Sequence, residues 1–110
     1  MTNTFEKREK GFESKWAHDE EMRFKVMARR NKLLGLWAAT EMGITGAAAE
    51  AYAREVVQAD FEEPGEDDVF RKVRKDFDAR QIAISDHRLR GKMEELLGVA
   101  AEQVQSEVKK

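Results

Sequence analysis

Leu33-Leu34-Gly35-Leu36-Trp37-Ala38-Ala39-Thr40-Glu41-Met42-Gly43 sets four large apolar side chains within five positions. At about 100° per residue, Leu33, Leu34, Leu36, Trp37 and Ala38 go nearly all round a helix, and a helix that is apolar on every side is one enclosed by others. Gly43 is the C-terminal cap that ends it. Upstream the same periodicity predicts a helix starting near Asp19, so the first long helix spans about 19–42.

Downstream, three more helices follow. Thr45 is placed to cap a second helix whose apolar face is Ala49, Tyr52, Ala53, Val56, Val57 and Phe61, and Pro64-Gly65 breaks it. A third helix starts near Glu66 with the narrow stripe Val69, Phe70, Val73 and Phe77, so one face packs and the rest is wet. Ile82 and Ile84 plug the next connection. Ser85 or Asp86 caps a fourth helix that carries Leu89, Met93, Leu96, Leu97, Ala100 and Val104 on one side. Four amphipathic helices joined by short loops predict an all-α chain folded as a small four-helix bundle, with a flexible, potentially helical N-terminal arm. The predicted division is an arm over 1–18, a disordered or frayed helix when free, and a bundle over 19–110.

The chain of 110 residues makes one domain with one small core. Charged residues are 38% of it, yet the net charge is only -2 and the signs are interleaved. That balance argues against a nucleic-acid partner, which calls for a basic excess on one face. Cysteine is absent, which excludes disulfide scaffolds and thiolate metal sites. Neither a signal peptide nor an eighteen-residue apolar run is present, so the expectation is a cytoplasmic protein without direct membrane insertion.

In the arm, Phe5, Phe12 and Trp16 fall on one narrow helical face, because steps of seven and four return to within about 20° of each other. Glu6, Lys7, Arg8, Lys10 and Glu13 cover the remainder. Met27 and Leu34 continue that face if the helix is unbroken. Between Trp16 and the apolar segment lie His18 to Arg23, mostly charged, and a helix this short is marginal in water. Glu6 with Lys10, and Glu21 with Lys25, are supporting pairs four apart. An amphipathic arm of this kind docks into a groove on another protein; the alternative is an arm that folds back to complete its own core.

Catalytic chemistry is hard to assemble. There is no phosphate-binding glycine loop, no metal-spaced histidine pair and no serine, histidine and aspartate set. His18 and His87 sit near helix starts, where solvated or capping roles are commoner. The acidic run Glu62, Glu63, Glu66, Asp67 and Asp68 reads as carboxylates favoured by a helix dipole, without calcium-loop spacing. Arg29, Arg30, Lys32, Arg71, Lys72 and Arg74 read as solvated ion-pairing residues. In a second reading, Arg29, Arg30, Arg71 and Lys72 line a weak adenine-nucleotide site beside Trp37. Gly91 and Gly98 lie on the outward side of the fourth helix and are read as tolerated there.

Three stretches carry a family resemblance: Glu13-Ser14-Lys15-Trp16-Ala17-His18-Asp19-Glu20, Ala28-Arg29-Arg30-Asn31-Lys32-Leu33-Leu34-Gly35-Leu36-Trp37-Ala38, and Asp60-Phe61-Glu62-Glu63-Pro64-Gly65-Glu66-Asp67-Asp68-Val69-Phe70-Arg71-Lys72. Over nearly its whole length the chain resembles the zeta subunit of the alphaproteobacterial F-type ATP synthase. It departs at Trp16, where phenylalanine is expected. The resemblance implies a four-helix inhibitor of ATP hydrolysis whose N-terminal segment enters an interface between catalytic subunits beside the rotor. The mode is similar to that of the mitochondrial inhibitor protein. It assigns partner binding to Lys10, Phe12, Lys15, Trp16, His18 and Asp19, to which the helical face of the arm adds Phe5. It implies no enzyme activity and no cofactor. The partners it implies are the catalytic and rotor subunits, with the chain a monomer when free and held peripheral to the inner membrane through the synthase. The competing functions are an adenine-nucleotide sensor and a small assembly module without inhibitory activity.

Overall fold

A computed structural model describes residues 20–62 and 67–108, apart from the side chains of Phe61, Glu62 and Val108. Four helices make up the described chain: α1 (Glu20–Glu41), α2 (Gly46–Glu62), α3 (Asp68–Ala79) and α4 (Asp86–Val108). No strand occurs among these residues, and the architecture is the expected all-α four-helix bundle. The arm, the Pro64-Gly65 break and the Phe61 side chain lie outside the described part.

The Leu33–Gly43 stretch forms the C-terminal half of α1, and α1 is the central helix. It touches each of the other three, α2 and α4 most extensively. Leu34, Gly35, Ala38 and Ala39 are buried, whereas Leu33, Leu36 and Trp37 are half-buried and Lys32, Thr40 and Glu41 face solvent. The enclosure is therefore less complete than the sequence implies, because three neighbours leave one side of α1 open. Gly43 ends the helix at φ 75°, with Ile44 N–H donating to Ala39 O at 2.8 Å and Gly43 N–H to Thr40 O at 3.1 Å. This pair of bonds closes the last turn in a left-handed cap, which glycine adopts without a steric cost.

Helix α3 starts at Asp68, two residues later than expected, and its predicted stripe is the buried one: Val69, Phe70, Val73 and Phe77. Its end repeats the cap of α1 with a different residue. Ile82 N–H reaches Phe77 O at 2.9 Å and Gln81 N–H reaches Asp78 O at 3.1 Å, with Gln81 held at φ 58°. Ser85 caps α4 by accepting the Arg88 N–H at 3.1 Å. Arg74 ties the α3–α4 connection down through Ile84 O, Asp86 at 3.1 Å and Asp78 at 2.9 Å.

The core has two parts. The larger joins all four helices around Leu34, Val56, Val73, Phe77 and Leu89. The smaller joins Val26 on α1 to Ala100, Ala101 and Val104 on α4, small side chains that let the two helices approach. A closer approach occurs between α1 and α2. A Cβ built on Gly35 would stand 2.6 Å from Ala53 Cα and 3.3 Å from Val56 Cγ2, so only glycine fits at this crossing. Gly91 and Gly98 meet nothing within 4 Å, in keeping with an open face of α4.

Candidate functional site

The residues expected to bind a partner, Phe5, Lys10, Phe12, Lys15, Trp16, His18 and Asp19, all lie outside the described part. Their attachment point is the first turn of α1. There the Glu21–Lys25 pair is formed at 3.5 Å, both side chains well exposed, and Phe24 is 56% exposed.

The structure distributes the five nucleotide-site candidates over separate contacts. Arg29 reaches from α1 to the end of α4, bonding Gln103 at 2.7 Å and Glu107 at 2.7 Å. Arg71 pairs with Asp68 one turn away. Lys72 donates to Asp76 at 2.9 Å and to Glu55 at 3.5 Å, and lies 5.1 Å from the Tyr52 ring. Trp37 packs edge-on to Phe77 with ring centres 5.7 Å apart, and the cation nearest its ring is Lys92 at 5.6 Å. Each of these bases except Arg30 thus has a carboxylate of its own.

Tyr52, Asp76 and Lys72 form a polar link between α2 and α3. Tyr52 donates to Asp76 at 2.8 Å, and both burial and that carboxylate raise the phenol's pKa well above the ordinary value. For Lys72, burial works against the charge, but Asp76 and Glu55 outweigh it and hold its pKa up. Of the acidic run, only Asp67 and Asp68 have described side chains, and Asp68 pairs with Arg71. Asp67 pairs with Arg90 at 3.2 Å, and no cluster of three or more potential metal ligands occurs among the described residues.

Arg30 and Asn31 were not expected in the interior. Arg30 is 7% exposed and Asn31 1%. Arg30 Nε donates to Asn31 Oδ1 at 2.8 Å, while Asn31 Nδ2 is buried without a partner among the described residues. Burial lowers the Arg30 pKa, with the Asp60 charge opposing. The guanidinium lines a groove of about 540 Å³ between α1 and α4, with Met27, Met93 and Leu97 as its apolar lining and Arg90 beside Asp67 at one side. The missed clue is a spacing: Val26, Arg30, Leu34 and Ala38 recur every four residues, which puts Arg30 on the buried line of α1.

The family model of ATPase inhibitor subunit zeta matches residues 1–103. The chain belongs to this family. The match takes in both the bundle and the N-terminal arm. A structure solved in solution by NMR is 50% identical, with a TM-score of 0.69, over 78% of this chain and 98% of that one. No curated protein sequence matches the chain. No helix among the described residues is long and apolar enough to cross a membrane.

Proposed function

We propose that this zeta-family protein is a regulatory, non-catalytic subunit that blocks ATP hydrolysis by the F-type ATP synthase by inserting residues 1–18 into the catalytic head. Phe5, Phe12 and Trp16 are the anchors, and Lys10, Lys15, His18 and Asp19 set register against the catalytic and rotor subunits. The observation that carries the reading is the family match, which begins at residue 1 and so includes the arm. The bundle supports it as a carrier, since the four described helices share a core. Ordering a short segment on binding costs about 2–5 kcal/mol, and buried aromatic anchors each contribute about 2 kcal/mol or more, so three offset it. Through the synthase the protein is held at the inner membrane.

The test is the ATP hydrolysis rate of the purified cognate synthase with the intact chain, and with Phe12→Ala plus Trp16→Ala. Inhibition by the first and none by the folded second is expected. Inhibition retained by the double variant refutes the arm as effector.

A further inference from the structure

We infer that the end of α4, residues 98–108, is a strap that lifts from α1 as a unit, hinged at Gly98 and latched by Arg29, and that its opening uncovers Met22, Val26 and Leu33 of α1. This goes beyond the inhibitory reading and does not depend on it.

The two ends of α4 are held differently. Towards its start, Leu89 and Met93 belong to the large core that joins all four helices. Arg90 there lies 4.0 Å over the Phe70 ring and 3.2 Å from Asp67, and Arg74 of α3 reaches Asp86 at 3.1 Å. Beyond Gly98 the buried side chains are Ala100, Ala101 and Val104. Among the described residues, the core they share holds α1 and α4 side chains only: Val26 is buried in it, with Met22, Leu33 and Leu97 packed against it. Alanine removes little apolar surface from water, so this contact holds its part of the helix less firmly than Phe77 and Leu34 hold the main core.

Gly98 lies at the join. A Cβ built there meets nothing within 4 Å, so no neighbour demands a glycine. Its effect is to weaken the helix between Leu96, packed on the large core, and Ala100, buried in the small one. Residues 98–108 span about 16 Å, too short a helix to persist in water alone, so leaving α1 and unwinding are one event. The latch is Arg29, whose guanidinium donates to Gln103 Oε1 at 2.7 Å and pairs with Glu107 at 2.7 Å, one turn further along α4. The Glu107 side chain is 56% exposed, which leaves this pair open to water and salt. Met22, Val26 and Leu33 recur at steps of four and seven, so uncovered they form one apolar line at the end of α1 that carries the predicted arm.

Amide exchange of the full chain, read residue by residue by NMR, tests the strap. Amides of residues 102–106 should share one protection factor, at least about 10-fold below those of 34–39 and 73–77. Gly98→Ala should raise the shared value about 4- to 5-fold, because alanine is the better helix former, and Gly91→Ala should leave it unchanged. Arg29→Met should lower it at least about 3-fold while 34–39 and 73–77 stay as they are. Protection that climbs residue by residue from the C-terminus inwards is ordinary fraying and overturns the strap. Equal protection of 102–106 and the large core overturns it as well, and so does an Arg29→Met loss that is matched at 34–39, since the small core then opens only with the whole fold. An equal response to Gly91→Ala and Gly98→Ala overturns the hinge. None of these measurements involves the synthase, so their outcome stands apart from that of the inhibition assay.

Discussion

Replacing Gly35 by alanine tests the α1–α2 crossing directly. In an open helix the change gains about 1 kcal/mol, because alanine orders at lower entropic cost. At Gly35 the new methyl would lie 2.6 Å from Ala53 Cα and 3.2 Å from its Cβ. The first of these is backbone, so no rotamer change relieves it and α2 must move away by roughly 1 Å to reach ordinary carbon contact of 3.5–4.0 Å. That displacement loosens the most extensive helix pair of the fold, and overpacking of this kind costs about 1–3 kcal/mol. Taking the upper end, since backbone cannot yield, the net loss is about 2 kcal/mol after the helix gain. Urea unfolding followed by far-ultraviolet circular dichroism reads it as a lower midpoint at unchanged slope. Gly91→Ala and Gly98→Ala are the controls: with open space at both, each should gain about 0.5–1 kcal/mol. Gly35→Ala matching or exceeding these controls in stability would refute the crossing argument.

Two further outcomes follow from the caps and the polar link. Gln81 sits at φ 58° where the matching cap of α1 has glycine, so Gln81→Gly should raise stability by about 1 kcal/mol; a loss on thermal unfolding would contradict the assigned cap. Folding raises the pKa values of both Tyr52 and Lys72, so the native state keeps protons that the unfolded chain releases near their ordinary values of 10.0 and 10.5. Their contribution is whole below about pH 10 and is lost as pH rises further. The urea midpoint should therefore fall above pH 10, and Tyr52→Phe should flatten that limb.

The helices were legible because their apolar residues repeat at helical spacing and because Gly43 and Ser85 are local stop and start residues whose chemistry does not depend on the rest of the fold. The stripe Val69, Phe70, Val73, Phe77 was readable for the same reason. Gly35 was not, since a glycine within a helix looks like a small penalty until the neighbour that excludes a Cβ is known. Arg30 was read as solvated because arginine usually is, although its phase with Val26 and Leu34 put it on the buried side. The basic candidates failed to suggest their own partners because Glu107 and Glu55 are brought to Arg29 and Lys72 only by the way helices pack. The arm is legible only as a pattern of aromatics; it lies outside the described residues, and the role proposed for it rests on the family match.

The central position of α1 has a mechanical consequence. Residue 19 leads directly into the helix that touches all three others, so a pull applied there bears on the middle of the bundle rather than on an edge. Helix α1 makes most of the contacts that join the helices, so drawing it out breaks its packing against α2 and α4 together. If the chain engages a partner through its N-terminal residues as proposed, the load it can carry is set by the rate at which the whole fold opens.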